Sequence, residues 1–182
     1  MGRRRRDRRE ERRDDRDPSA RSSKNRYQMR EKLASIGNDF WIEDEHGKKV
    51  FKVDGKAMRV RKTLKFEDAH GQEIYKIQER KARVRDSMEV EDEHGKRVAM
   101  VKKKMISPVR DRFTVSIKGG PDLDVKGNIV DHHYTIGEGR DKVAEASKKW
   151  FRVRDSYGVE IEEGQDDLLI LAVTVCIDQM AH

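Results

Sequence analysis

Three histidines recur in the same acidic setting, which raises the question of metal chemistry. His46 and His94 sit in identical Glu-Asp-Glu-His-Gly-Lys hexapeptides at 43–48 and 91–96, and His70 sits in Glu-Asp-Ala-His-Gly-Gln at 67–72. An imidazole beside carboxylates can bind a divalent cation, but a site needs several donors converging on one point. Copies on successive hairpins diverge, and each turn offers a single His, so the three read as turn residues. Asp131-His132-His133 has residue types used by metal-dependent phosphoesterases, yet the companion acidic motifs of such enzymes are missing. No metal ligand set and no cofactor are expected. Nucleophiles fare no better. The chain has no Gly-x-Ser-x-Gly elbow, and its one cysteine, Cys176, lies inside an apolar run where an inert structural thiol is expected. A lone cysteine excludes an intrachain disulfide and fits a reducing, cytoplasmic setting. With no acid, base and nucleophile converging, the chain is not expected to be an enzyme.

Basic clusters offer the other chemistry. Lys102-Lys103-Lys104 runs without an intervening acid, and Arg110 and Arg112 follow just beyond Pro108. Cations gathered on one face attract phosphates and carboxylates, so these five residues form the candidate ligand-binding patch, with an anion as the ligand. Arg80-Lys81-Arg83-Arg85 and Lys148-Lys149-Arg152-Arg154 have the same character. The competing reading makes all three runs solvated strand faces balanced by nearby acids. A fourth concentration lies at the start of the chain. Of 42 basic and 35 acidic residues, 11 and 6 fall in 1–25, leaving 31 and 29 for 26–182. The domain is therefore close to neutral, which excludes a wholly basic nucleic-acid-binding domain. The arginines of the arm suit phosphate in nucleic acid or lipid head groups; its interspersed acids weaken both, so a solubilising tail is the equal alternative.

The elements that must position these residues follow from pattern. At 182 residues, 42% charged and 34% hydrophobic, the chain has the length of one domain and must concentrate its core in particular segments. Residues 1–25 bury too little apolar surface to offset the entropy of ordering, so a disordered arm is expected there and a single domain over 26–182. Within the domain the hexapeptides recur every 24 residues, and apolar positions keep register around them. Phe40, Leu64 and Met88 align, as do Ile42, Phe66 and Val90, and Val50, Ile74 and Val98. Each copy is predicted to be a hairpin, with His-Gly supplying the residue that tolerates a positive φ. Arg83–Met88 reappears as Arg152–Tyr157, a shift of 69 residues that also superposes Gly95 on Gly164. Alternation continues through Phe113-Val115-Ile117, Leu123-Val125 and Tyr157-Val159-Ile161. One short helix is predicted at 141–150, capped by Asp141, with Val143, Ala146 and Trp150 as its inner stripe.

The segment Leu168–Ile177 is apolar at every position but one, Thr174. Gln165, Asp166 and Asp167 open it, as suits the positive end of a helix dipole, and Asp178 and Gln179 close it. A helix apolar on all sides must be surrounded on all sides. Ten residues rise only about 15 Å, half of a bilayer's ~30 Å hydrocarbon layer, so no transmembrane span is expected. The alternative is a sleeve formed by a curled sheet. No apolar h-region follows the first residues, and position 6 is Arg, so neither a secretory signal nor a myristoylation pattern is read.

Asp155-Ser156-Tyr157-Gly158-Val159-Glu160-Ile161, then Gly164-Gln165-Asp166, then the apolar run to Ile177-Asp178 resembles the C-terminal signature of the LURP-one-related proteins. The Asp-Glu-His-Gly turns resemble that family's front half, and the likeness covers 26–182. Ser156 stands where the family usually has Thr, and the arginine arm lies outside the pattern. The resemblance implies a mainly β, tubby-like fold: a closed antiparallel barrel of about twelve strands around a central hydrophobic C-terminal helix. Tubby C-terminal domains and phospholipid scramblases share it, and they bind phosphoinositides or act at membranes. Fold likeness by itself assigns no activity. The expected function is a non-catalytic binding or scaffold module, cytoplasmic and peripheral at a membrane, taking anionic phospholipid or another phosphorylated ligand on basic strands. The alternative is a nucleic-acid-associated protein anchored through its arm. The first requires the cations of the barrel and the second those of residues 1–25.

Overall fold

Alternation interrupted by left-handed glycines turns the chain back on itself at each repeated motif. A computed structural model describes residues 24–30, 39–55, 63–81, 86–105, 111–150 and 155–181. Among the described residues are twelve strands and one helix. The first six strands are β1 Asn25–Arg30, β2 Phe40–Asp44, β3 Lys49–Asp54, β4 Thr63–Asp68, β5 Glu73–Lys81 and β6 Asp86–Glu91. The second six are β7 Arg97–Met105, β8 Asp111–Ile117, β9 Leu123–Asn128, β10 His133–Glu138, β11 Asp141–Ser147 and β12 Ser156–Ile161, followed by α1 Asp167–Ala181. Every pairing is antiparallel between neighbours in sequence, and β1 also pairs with β12 from Asn25↔Ile161 to Arg30↔Ser156. The sheet is thus a closed barrel, with no free edge among the described strands.

The 24-residue repeat is a repeat of hairpins. Gly47, Gly71 and Gly95 lie at φ 77°, 85° and 73°, in the left-handed region that the turn requires. In each turn an aspartate accepts two backbone N–H groups. Asp44 takes those of His46 and Lys48, Asp68 those of His70 and Gln72, and Asp92 those of His94 and Lys96, all at 2.8–3.0 Å. The three histidines are exposed turn residues, while Ile42, Phe66 and Val90 are buried. The 69-residue repeat holds as well. Met88 and Tyr157 are both buried, and Gly95 and Gly164 are both left-handed.

Helix α1 is capped by Asp166, whose carboxylate accepts the Leu169 N–H at 3.1 Å. Asp167 in the first turn accepts the Tyr27 hydroxyl and the Asn25 amide, each at 2.6 Å, tying the helix to β1. Every residue from Leu169 to Gln179 is buried. The helix packs against β5, β6, β7, β8 and β12, so the core is the helix and the inward face of the barrel around it. Fifteen residues rise about 22 Å, and among the described residues no helix is long and apolar enough to cross a membrane.

The helix expected over 141–150 is corrected by the structure. Residues 141–147 are β11, with Ala144 paired to both Ile136 and Ile161, and Ala146 to both Tyr134 and Val159. Val143 and Ala146 are buried, as an inner stripe would be, but in a strand. The ladder explains the difference. Without β11, β10 and β12 would each expose a row of unpaired backbone groups, a cost far larger than the few tenths of a kcal/mol per residue by which Ala and Lys prefer helix.

Candidate anion-binding site

The paired strands β7 and β8 run from Ala99↔Ile117 to Met105↔Asp111. Val101 and Val115 pair and are both buried, which fixes the inward face. By the two-residue period of a strand, Met100, Lys102 and Lys104 stand outward beside Ser116, Thr114 and Arg112. The spans 96–104 and 112–118 hold seven lysines and arginines and not one aspartate or glutamate. Folding therefore lays two acid-free stretches side by side.

The residues of the expected patch do not share one face. Lys102 and Arg112 are exposed on the outer side, and Lys104, the register partner of Arg112, is there too, 3.8 Å from Asp124 of β9. Lys103 is half-buried and pairs with the buried Phe113, which places it on the inward register. A run of three lysines in a strand must split in this way. Arg110 lies outside the described residues, as do residues 1–23 of the arm and Arg83, Arg85, Arg152 and Arg154 of the other basic runs.

Near the turn end of the same face the strands form an open cleft of about 480 Å³. It is lined by Lys96, Arg97, Lys102 and Lys118 together with Val98, Ala99, Met100, Ser116 and Ile117. The Lys118 N–H donates to the Val98 carbonyl at 2.9 Å, extending the ladder so that Lys118 faces the β6–β7 turn. The Lys96 ammonium beside Lys118 holds that lysine's proton affinity below its ordinary value. Met100 is an outward residue yet only 9% exposed. Sequence reasoning missed Lys96, Arg97 and Lys118, because it placed Lys96 in a turn motif and did not pair 96–104 with 112–118.

Elsewhere on the barrel, several cations rest on acids. Lys24 pairs with Glu160 and Glu162 at 3.2 and 2.9 Å, and Arg26 with Glu160 at 2.7 Å. Burial opposes the ionisation of Glu160, but Arg26 and Lys24 outweigh it and hold the carboxyl below its usual range. Lys52 meets Asp39 at 2.7 Å, Lys65 meets Glu73 at 3.0 Å and Lys142 meets Glu145 at 2.9 Å. Arg80, from the first of the other basic runs, meets Glu89 at 3.4 Å. Among the described residues, Lys96, Arg97, Lys102 and Lys118 form no ion pair.

A second polar group lies inside, where α1 ends. The Tyr157 hydroxyl donates to the Asp178 carboxyl in a short hydrogen bond. The His132 ring stacks on Tyr157 at 4.2 Å and 11°, with Nδ1 3.5 Å from Asp178. Burial first, and then Asp178, push the Tyr157 and Tyr134 hydroxyls well above the ordinary tyrosine range. His132 is left-handed at φ 49° and buried, whereas its neighbours Asp131 and His133 are exposed, so the Asp-His-His tripeptide presents no common ligand face. Among the described residues no three His, Cys, Asp or Glu side chains gather as a metal site would need. Cys176 is buried in α1, and burial pushes its thiol far above the usual range.

The sequence model of the LURP-one-related family matches residues 25–178. The Uncharacterized protein YxjI of Bacillus subtilis (strain 168) is 25% identical over 154 residues, which is 85% of this chain and 92% of YxjI. The X-ray structure of the Arabidopsis thaliana protein AT5G01750 superposes with a TM-score of 0.66 at 18% identity, covering 88% of this chain and 93% of that one. At that identity the likeness is one of fold.

Proposed function

This chain belongs to the LURP-one-related family, and from that footing we propose that it is a non-catalytic binding module whose outer β7–β8 face holds an anionic, phosphate-bearing ligand, the head group of an acidic phospholipid at a membrane surface. Membership supplies the fold; the charge of one face carries the reading. On that face two acid-free spans lie paired, while the cations of β1, β3, β4, β5 and β11 sit against acids. Unit charges 4 Å apart near a protein surface attract or repel by about 4 kcal/mol. Lys104 lies near Asp124, but Lys102 and Arg112 with Lys96, Arg97 and Lys118 form no ion pair among the described residues and leave a positive field for which a phosphate is the complement. A flat charged face gives affinity that fades with salt, since exposed charges are screened beyond about 10 Å at 0.1 M.

The test is retention of the full chain on vesicles. Vesicles with acidic lipid should hold it at low ionic strength and release it as salt rises, and neutral phosphatidylcholine vesicles should not hold it. The triple variant Lys102→Glu, Lys104→Glu, Arg112→Glu should fall to the level seen with neutral vesicles. Lys102 and Arg112 are exposed and Lys104 is partly so, all on the outer face, so the variant should keep the melting temperature of the parent. Undiminished retention of the folded triple variant would overturn the reading and move the binding to the arginine arm.

A further inference from the structure

The cleft at the turn end of this face has a more specific geometry than a field of charge. It is about 480 Å³, within the range of small-ligand pockets, and it joins a cationic rim to apolar side chains. Met100 is the telling residue of its lining. Outward positions of a barrel are normally solvated, yet Met100 is nearly covered and lines the cleft. On the rim, Lys96 and Lys118 crowd each other, Arg97 lies next to Lys96, and Lys102 stands along the strand. Asp92, the carboxylate that acts on Lys118, accepts the backbone N–H groups of His94 and Lys96. Two ammonium groups lining one cleft repel each other, and an anion bound beside both offsets that repulsion. A guanidinium adds a planar fork suited to two oxygens of one phosphate.

Resting on the function proposed above, we infer that the cleft bounded by Lys96, Arg97, Lys102 and Lys118 is a site for a phosphate monoester in its dianionic form, with the ester's organic part lying over Met100. A diester carries one charge and has both flanks substituted, so it cannot place two anionic oxygens between Lys96 and Lys118 while Arg97 takes a third. A monoester has three terminal oxygens and a second pKa near ~6, so its full charge is present at neutral pH. The same chemistry is offered by a phosphatidic acid head group and by a free phosphate ester.

The experiment has two arms on the full chain. In solution, calorimetric titration at constant ionic strength compares glycerol 3-phosphate and inorganic phosphate with dimethyl phosphate. On membranes, vesicles of phosphatidic acid are compared with vesicles of phosphatidylglycerol matched for surface charge. The monoester members should bind at least about tenfold more tightly than the diesters, the value of one charge-assisted contact. That preference should shrink as pH falls from about 7 to about 5, where the second proton returns. Lys118→Gln and Lys96→Gln should each abolish the preference, and Lys65→Gln on β4, a removal of equal charge elsewhere, should leave it intact. Preference in both arms identifies a site open to free esters, and preference on vesicles alone identifies a lipid source; either supports the inference. Equal binding of phosphatidic acid and phosphatidylglycerol, with retention still lost in the Lys102, Lys104, Arg112 triple variant, would overturn the monoester site and leave the anionic face standing. No retention of the parent chain on any acidic vesicle and no phosphate binding would overturn both.

Discussion

Asp178 shows what a single residue can conceal in a sequence. It follows an apolar run and reads there as the polar stop of a helix; in the barrel it is buried and receives the Tyr157 hydroxyl. Nothing in local sequence distinguishes a polar residue that ends a helix in water from one that ends it inside a sleeve, because the difference is the depth of insertion. The same holds for His132, whose exposed neighbours gave no hint that its ring stacks on Tyr157. The physical consequence is a mutual dependence. Tyr157→Phe leaves the Asp178 carboxyl short of a donor, and Asp178→Ala leaves the Tyr157 hydroxyl short of an acceptor, each costing about 1 to 3 kcal/mol for a buried unsatisfied group. The double variant should cost less than the sum of the two, with a coupling of about 0.5 to 3 kcal/mol. Urea midpoints with unchanged slope measure this. Strict additivity would mean that the pair does not act as one unit.

At the scale of the element, hairpins were legible and β11 was not. The turns announce themselves, since Asp, His and Gly each have a role fixed by local geometry: acceptor, spacer and left-handed residue. Asp141–Ser147 has helix-forming composition, and its strand state is imposed by β10 and β12, which local sequence cannot see. The turn aspartates carry a pH signature. Backbone N–H groups, led by those of Lys48, Gln72 and Lys96, hold Asp44, Asp68 and Asp92 below the usual carboxylate range. A folded pKa below the unfolded value means stability that is complete above the unfolded value, near ~3.9, and lost as pH falls through the folded one. The melting temperature of the parent should therefore drop between about pH 5 and about pH 2. Asparagine keeps the acceptor oxygen without the charge. The variant Asp44→Asn, Asp68→Asn, Asp92→Asn should melt somewhat lower at neutral pH and lose less on acidification. Equal acid slopes for variant and parent would show that the turns do not contribute to acid sensitivity.

For the whole molecule, the sequence carried the architecture further than the site. An eleven-residue stretch buried on every side, set among alternating hairpins, has few solutions besides a helix inside a closed sheet. The site depends instead on which two spans are neighbours. Lys96 and Lys118 are 22 positions apart, and the pairing of β7 with β8, extended by the Lys118 N–H to the Val98 carbonyl, brings both to one cleft. The crowding also has a stability cost. A lysine whose proton affinity is lowered by a like charge disfavours the fold while both are protonated, and binding of the proposed anion would relieve that cost. The central claim is therefore one of place: phosphate goes to the outer β7–β8 face and not to the arginine arm. Amide chemical-shift mapping of the full chain, titrated with inorganic phosphate at constant ionic strength, tests it directly. The largest saturable shifts should fall within 96–102 and 116–118, on the two sides of one cleft. Shifts confined to residues 1–23, or spread without preference over the barrel, would contradict the account.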